Sequence, residues 1–152
     1  MLLKFLHIGF IFSGIGLVYG TELLLHRISR SADTRTIRNV FSMAKPIGTI
    51  APAIFWVGIA FGLTAGVVNG YNMLAPWLLA TYVLVGALMA AGLSITVQWM
   101  NRVGALAAAA PDGPASDELM AALHDKRTTN LMWASIVADV VILALMVFKP
   151  GA

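Results

Sequence analysis

Residues 47–68 read IGTIAPAIFWVGIAFGLTAGVV, an apolar run without one acidic, basic or histidine side chain. A helix that crosses a bilayer needs about 20 such residues at about 1.5 Å of rise each. The run is rich in Gly, Ala and Ile and shows no alternation of polar and apolar positions, so it reads as helix rather than strand. Three other stretches share its character. Residues 2–25 carry only Lys4, His7 and Glu22 as acidic, basic or imidazole groups, residues 74–99 carry none, and residues 131–148 carry only Asp139. The expectation is a single domain over residues 1–152: an all-α membrane protein, built as a four-helix transmembrane bundle.

Composition points the same way. The 152 residues are 59% hydrophobic and only 11% charged, with a mean hydropathy of +0.85. Soluble domains run near 25% charged. The chain has no cysteine, which removes thiolate nucleophiles, Cys-ligated zinc and iron–sulfur clusters. A net charge of +3, gathered in the loops, argues against a nucleic-acid partner. There is no Ser–His–Asp or Cys–His constellation at plausible depth and no Walker or dinucleotide glycine loop, so a protease, a kinase or a nucleotide-driven pump is not supported.

The loops set an expected orientation. Residues 26–46 hold Arg27, Arg30, Arg35, Arg38 and Lys45, and residues 100–130 hold Arg102, Lys126 and Arg127, against Lys4 and Lys149 on the opposite side. Under the positive-inside bias both longer loops lie in the cytoplasm and both termini outside, in a bacterial inner membrane. Positive charge follows the first apolar run instead of preceding it, so that run reads as a retained span and not as a signal peptide.

In the first loop, Asp33-Thr34 caps a short helix ending near Ala44, before Lys45-Pro46. Ile37, Val40, Phe41 and Ala44 form its apolar stripe. Two readings stand side by side: a basic helix on the inner leaflet, or a solvated connector. In the second loop Ser116 is an N-cap with Asp117 and Glu118 behind it. Helices three and four are therefore expected to extend beyond the membrane as a cytoplasmic hairpin, closed by Leu119, Met120 and Leu123.

Small residues recur on the spans: Gly58, Gly62 and Gly66 on the second, Gly9, Gly14, Gly16 and Gly20 on the first, and Gly86 with Ala90 on the third. In lipid such positions let backbones approach closely, within one bundle or across a dimer seam, or let a cofactor lie flat against a helix. Trp77, Trp99 and Trp133 lie near span ends as interface anchors; Trp56, deeper, reads as a packing residue.

Ionisable groups at membrane depth are functional candidates because they are costly to place there. His7 lies about 8 Å into the first helix; its neutral imidazole can ligate haem iron or another metal, or relay protons. Against this stands a histidine simply hydrogen-bonded near the interface. His26 and His124 belong to the other side, so a second axial ligand must be a methionine, a water or a symmetry-related His7. Asp139 shares a helical face with Met132, Ser135, Ile142 and Met146. It can bind a proton or cation, or pair with a polar group on another helix, for which Thr64, Thr81 and Ser94 are candidates. Glu22, one turn before His26, reads as an interfacial carboxylate, with an ion or proton role as the sharper alternative.

The opening Leu3-Lys4-Phe5-Leu6-His7, the glycines at 14 and 16 and the arginine at 27 resemble a group of small bacterial four-helix membrane proteins. The Lys-x-Leu-His pattern is similar to that of CopD-type copper-resistance domains and HemJ-type protoporphyrinogen oxidases. That resemblance implies a His7 facing the bundle and a b-type haem bound through it. The HemJ-type relatives also use a lysine in a later helix, absent here from helices two and three, and a tryptophan two turns after the histidine, where this chain has Phe12-Ser13-Gly14. Haem binding or a redox-linked role, rather than protoporphyrinogen oxidation, is what carries over.

The expected protein is thus a lipid-embedded, homodimeric four-helix bundle holding haem b through His7, with a redox or tetrapyrrole-handling role. The alternatives are a small proton- or cation-coupled transporter centred on Asp139, or a non-catalytic subunit that binds partner helices through its glycine faces.

Overall fold

The computed structural model describes residues 1–28 and 33–151; Arg30, one of the loop cations, lies outside them. The described residues form helices α1 (Leu2–Ile28), α2 (Thr34–Ala44), α3 (Ile47–Val68), α4 (Pro76–Ala91), α5 (Val97–Ala109), α6 (Asp117–Leu123) and α7 (Lys126–Phe148). A π-helical turn, Gly92–Thr96, joins α4 to α5, so residues 76–109 run as one helical rod. Four helical stretches are long and apolar enough to cross a membrane, and the chain is a multi-pass membrane protein in that sense.

Glycine dictates how the first pair packs. α1 lies against α3, with α4 against α7 as the second pair. A Cβ on Gly14 would stand 3.0 Å from the Phe55 ring, one on Gly58 2.9 Å from Ile11 Cδ1, and one on Gly62 2.6 Å from His7 Nδ1. As the α1 partner moves back from 14 to 11 to 7, the α3 partner moves on from 55 to 58 to 62, which is an antiparallel register. Each glycine accepts a large side chain from the facing helix, the close approach that small residues permit in lipid. Gly9, Gly16, Gly20 and Gly86 meet nothing within 4 Å; of the small-residue positions, these take no part in packing the chain on itself.

At the end bearing α2, α5 and α6, a compact core gathers Leu25, Ile37, Phe41, Trp99, Val103 and Leu119. α2 starts where Asp33 accepts from the Thr36 backbone N–H at 2.9 Å and from its hydroxyl at 2.6 Å. Its apolar stripe then seats on α5. This is neither of the two destinations expected from the sequence: the stripe packs against protein, with Ile37 and Phe41 buried. Arg38 on the same helix donates to Ala107 O at 2.9 Å, to Ala110 O and to Asp112 at 2.8 Å. Its guanidinium thereby caps carbonyls at the end of α5 that have no partner within the helix.

Ser116 caps α6 as expected, accepting from Leu119 N at 3.3 Å. The return leg is not one continuous helix, because Asp125 starts α7 on a cap of its own, accepting from Arg127 N. Leu119 and Leu123 are fully buried. The tryptophans part from expectation. Trp99 and Trp77 are buried and Trp133 is exposed; Trp56, read as a packing residue, is 60% exposed and faces outward from the chain. The closeness of α1 to α3 comes from glycine meeting the side chains of Phe55, Ile11 and His7, and Trp56 takes no part in it. Trp99 instead donates Nε1–H to Ala122 O at 2.9 Å, satisfying the donor that its burial would otherwise orphan.

Candidate functional site

Glu22 and Asp139, the two carboxyl groups of the apolar stretches, lie on one seam, where α1 touches α7 and the π turn. Tyr19 and Glu22 lie three residues apart on α1, and Ser135 and Asp139 four apart on α7, so each pair shares a helical face. The Tyr19 hydroxyl donates to Asp139 Oδ2 at 2.7 Å. Ser135 stands beside the same hydroxyl. Next along α1, the Thr96 hydroxyl reaches Glu22 Oε1 at 3.5 Å, a long contact. Glu22 is buried, and its Oε2 has no hydrogen-bond partner. One further turn on, His26 stacks on Trp99, ring centroids 5.5 Å apart.

The π turn is what brings the third rod into this seam. A π turn inserts one residue into the helical repeat and rotates the helix after it relative to the helix before it, and such turns often sit at functional sites. Here it lies beside α7 and carries Thr96 to Glu22. Inside it, the Ser94 hydroxyl donates to Ala90 O at 2.7 Å, taking up a carbonyl within its own rod.

Sequence reading named both carboxyl groups but not what joins them. Of the partners considered for Asp139, Thr64 donates to Ala60 O, Thr81 to Trp77 O and Ser94 to Ala90 O, each within its own helix. Tyr19 was the signal passed over. It is the single tyrosine of the first span, three residues before Glu22, and its phenol reaches farther than a threonine hydroxyl.

His7 is elsewhere, between α1 and α3. Its Nδ1 lies 2.8 Å from Gly58 O, and the Nδ1–Cε1 edge of the ring faces Gly62. A carbonyl oxygen only accepts, so the neutral ring carries its proton on Nδ1 and its lone pair on Nε2. That is the arrangement in which an imidazole ligates a metal with a carbonyl behind it. As a fit for haem it supplies one axial ligand. His124 sits at the far end with Nδ1 against Met120 O, and His26 is on Trp99. Among the described residues, no three of His, Asp and Glu gather as a metal site.

A cleft of about 330 Å³ opens near the start of α7, with Arg102, Glu118, Asp125 and Arg127 in its walls. Two acids and two bases select no ligand charge. Compared with known proteins, the chain matches no family model, no curated protein and no solved structure.

Proposed function

We propose that this chain is a small membrane carrier that moves protons, or a cation in exchange for protons, through Asp139, Tyr19 and Glu22. The observation that carries the reading is the Tyr19–Asp139 hydrogen bond beside a buried Glu22 oxygen with no partner. Two carboxyl groups on one seam in a medium of low dielectric cannot both hold charge cheaply. Tyr19, a donor and an acceptor at once, bonds Asp139 and lies one turn before Glu22 on α1, so a proton moving between the carboxyl groups travels by way of its hydroxyl and a water that bridges from it to Glu22. The positive-inside bias of the loops supports a cytoplasmic α2–α5–α6 end in a bacterial inner membrane. Glu22 is then the group nearer the cytoplasm.

Proton flux into liposomes, driven by a potassium diffusion potential and read with an entrapped pH dye, tests this. Asp139→Asn and Tyr19→Phe are expected to lower flux at least tenfold and Glu22→Gln to lower it comparably, with His7→Ala unchanged. Wild-type flux in a folded Asp139→Asn variant overturns the reading.

A second reading rests on His7, whose carbonyl-bonded Nδ1 leaves Nε2 as ligand to a b-type haem. The resemblance to CopD-type and HemJ-type proteins supports it, with the other axial position filled from a second copy of the chain. Absorption spectra of protein made with haem precursor supplied, before and after dithionite, decide it. A Soret band altered in His7→Ala is the expected result, and a clean spectrum removes this reading.

A further inference from the structure

At the opposite end of the bundle two cations converge on one phenol. Lys4 Nζ donates to Tyr71 Oη at 3.0 Å and Lys149 Nζ donates to the same oxygen at 3.2 Å. The two ammonium groups therefore lie within about 6 Å of each other, a separation at which like charges repel appreciably. Among the described residues no Asp or Glu side chain offsets them. The chain's acidic residues are Glu22, Asp33, Asp112, Asp117, Glu118, Asp125 and Asp139. The nearest in sequence, Asp139, is ten residues or about 15 Å of helix away from Lys149, and its Oδ2 is held by Tyr19. Other polar side chains of the connector are engaged locally: Asn69 donates to Ala65 O and Asn72 accepts from Leu74 N.

The backbone works to hold this arrangement. Lys149 is the one described non-glycine residue at positive φ, 45°, a left-handed conformation that costs a residue with a β-carbon. It ends α7 and folds the side chain back over Tyr71 and Trp77, at 4.5 and 5.8 Å from the two ring centroids. Tyr71 and Trp77 pack edge to face. With both ammonium groups donating to Tyr71 Oη, its own hydrogen points away from them and is left to donate. The phenol is held below its usual titration range by the hydrogen bonds from Lys4 and Lys149, as expected where positive charge accumulates.

We propose that Lys4, Lys149 and Tyr71 form a clamp for the phosphodiester of one anionic phospholipid headgroup. The clamp stands where the apolar spans α1 and α7 end, at headgroup level, and aromatic rings beside lysines are the usual furniture of that depth. A phosphodiester presents two acceptor oxygens to two ammonium groups and the phenol O–H, and its charge relieves the repulsion between the lysines. The acyl chains then lie along the exposed apolar surface of α7, where Val141 and Val147 face outward. The site is independent of the carrier and haem readings.

Native mass spectrometry from nanodiscs of phosphatidylcholine doped with phosphatidylglycerol tests it. The full chain is expected to retain one phosphatidylglycerol with at least fivefold enrichment over the bulk ratio. Lys4→Gln/Lys149→Gln should fall to the bulk ratio, while Lys45→Gln/Lys126→Gln, the same charge change elsewhere, keeps the enrichment. Tyr71→Phe, which leaves both cations in place, should lose two- to threefold. Undiminished enrichment in the Lys4/Lys149 variant, or equal loss in the distant control, overturns the proposal. Complete displacement by millimolar inorganic phosphate also overturns it, since the site is then one for the free anion.

Discussion

Replacing Gly62 by alanine puts the register of α1 on α3 to a quantitative test. The new Cβ would stand 2.6 Å from His7 Nδ1 and 2.7 Å from Cε1, closer than real contacts allow. The imidazole cannot simply swing aside, because Nδ1 is held at 2.8 Å by Gly58 O one turn earlier. Overpacking of this kind costs about 1–3 kcal/mol, and a lost hydrogen bond adds about 1 kcal/mol. Gly62→Ala is therefore expected to destabilise by roughly 2–4 kcal/mol. Gly16 is the matched control: nothing lies within 4 Å of its built Cβ. There alanine should be neutral or stabilising, by up to about 1 kcal/mol from helix propensity. Reversible unfolding in mixed micelles, followed by tryptophan fluorescence, measures both. Removing the ring relieves the clash, so His7→Ala/Gly62→Ala should cost at least about 1 kcal/mol less than the two single changes together. Equal effects of Gly62→Ala and Gly16→Ala, or strict additivity in the double variant, would refute the register.

Arg38 and Asp112 separate a capping role from an ion pair. The Asp112 side chain is 62% exposed, so Asp112→Ala should cost no more than about 0.5 kcal/mol. Arg38→Lys keeps the charge but loses the fork that serves two carbonyls, and should cost about 1–2 kcal/mol by the same unfolding assay. Trp99→Phe leaves Ala122 O without its donor in a buried core, with an expected loss of about 1–3 kcal/mol and faster amide exchange across α6. Asp33 is held below the ordinary aspartate value of 3.8, chiefly by the hydrogen bond from the Thr36 hydroxyl and then by that from its amide. A lowered folded value means the cap contributes fully above pH 3.8 and is lost as pH falls through the lower folded value. Hydrogen exchange at Thr36 should accelerate only in that acid range, and Asp33→Ala should abolish the transition.

Much of the architecture is legible in local pattern. The run at 47–68 declares a span because lipid offers no partner for backbone polar groups and the helix satisfies its own. The caps at Asp33 and Ser116 are legible for the same local reason, a short acceptor followed by free amides. The second cap at Asp125 was missed because Leu119 to Leu131 retains helical spacing through it. Trp56 misled: depth along a span says nothing about which way a side chain points. The stripe on α2 was correctly placed on one face, yet its destination was open. An apolar face fits lipid and protein equally well, and it was α5, the continuation of the α4 rod, that supplied the protein surface.

The candidate seam divides in the same way. His7, Glu22 and Asp139 stand out one by one, since each is an ionisable group among apolar neighbours. Nothing local says that Asp139 meets Tyr19, 120 residues away in sequence, or that Lys4 and Lys149 close on one phenol. By itself the sequence determined the number of spans, their helical nature and the residues too polar for their surroundings. Each of these follows from the free energy of a segment against lipid, which neighbouring residues settle among themselves. Only the tertiary structure decided which glycines are filled, where the α2 stripe goes and which polar groups meet. Those depend on the register and rotation of helices against one another, set by side-chain shapes on both surfaces at once and written in no single stretch of chain.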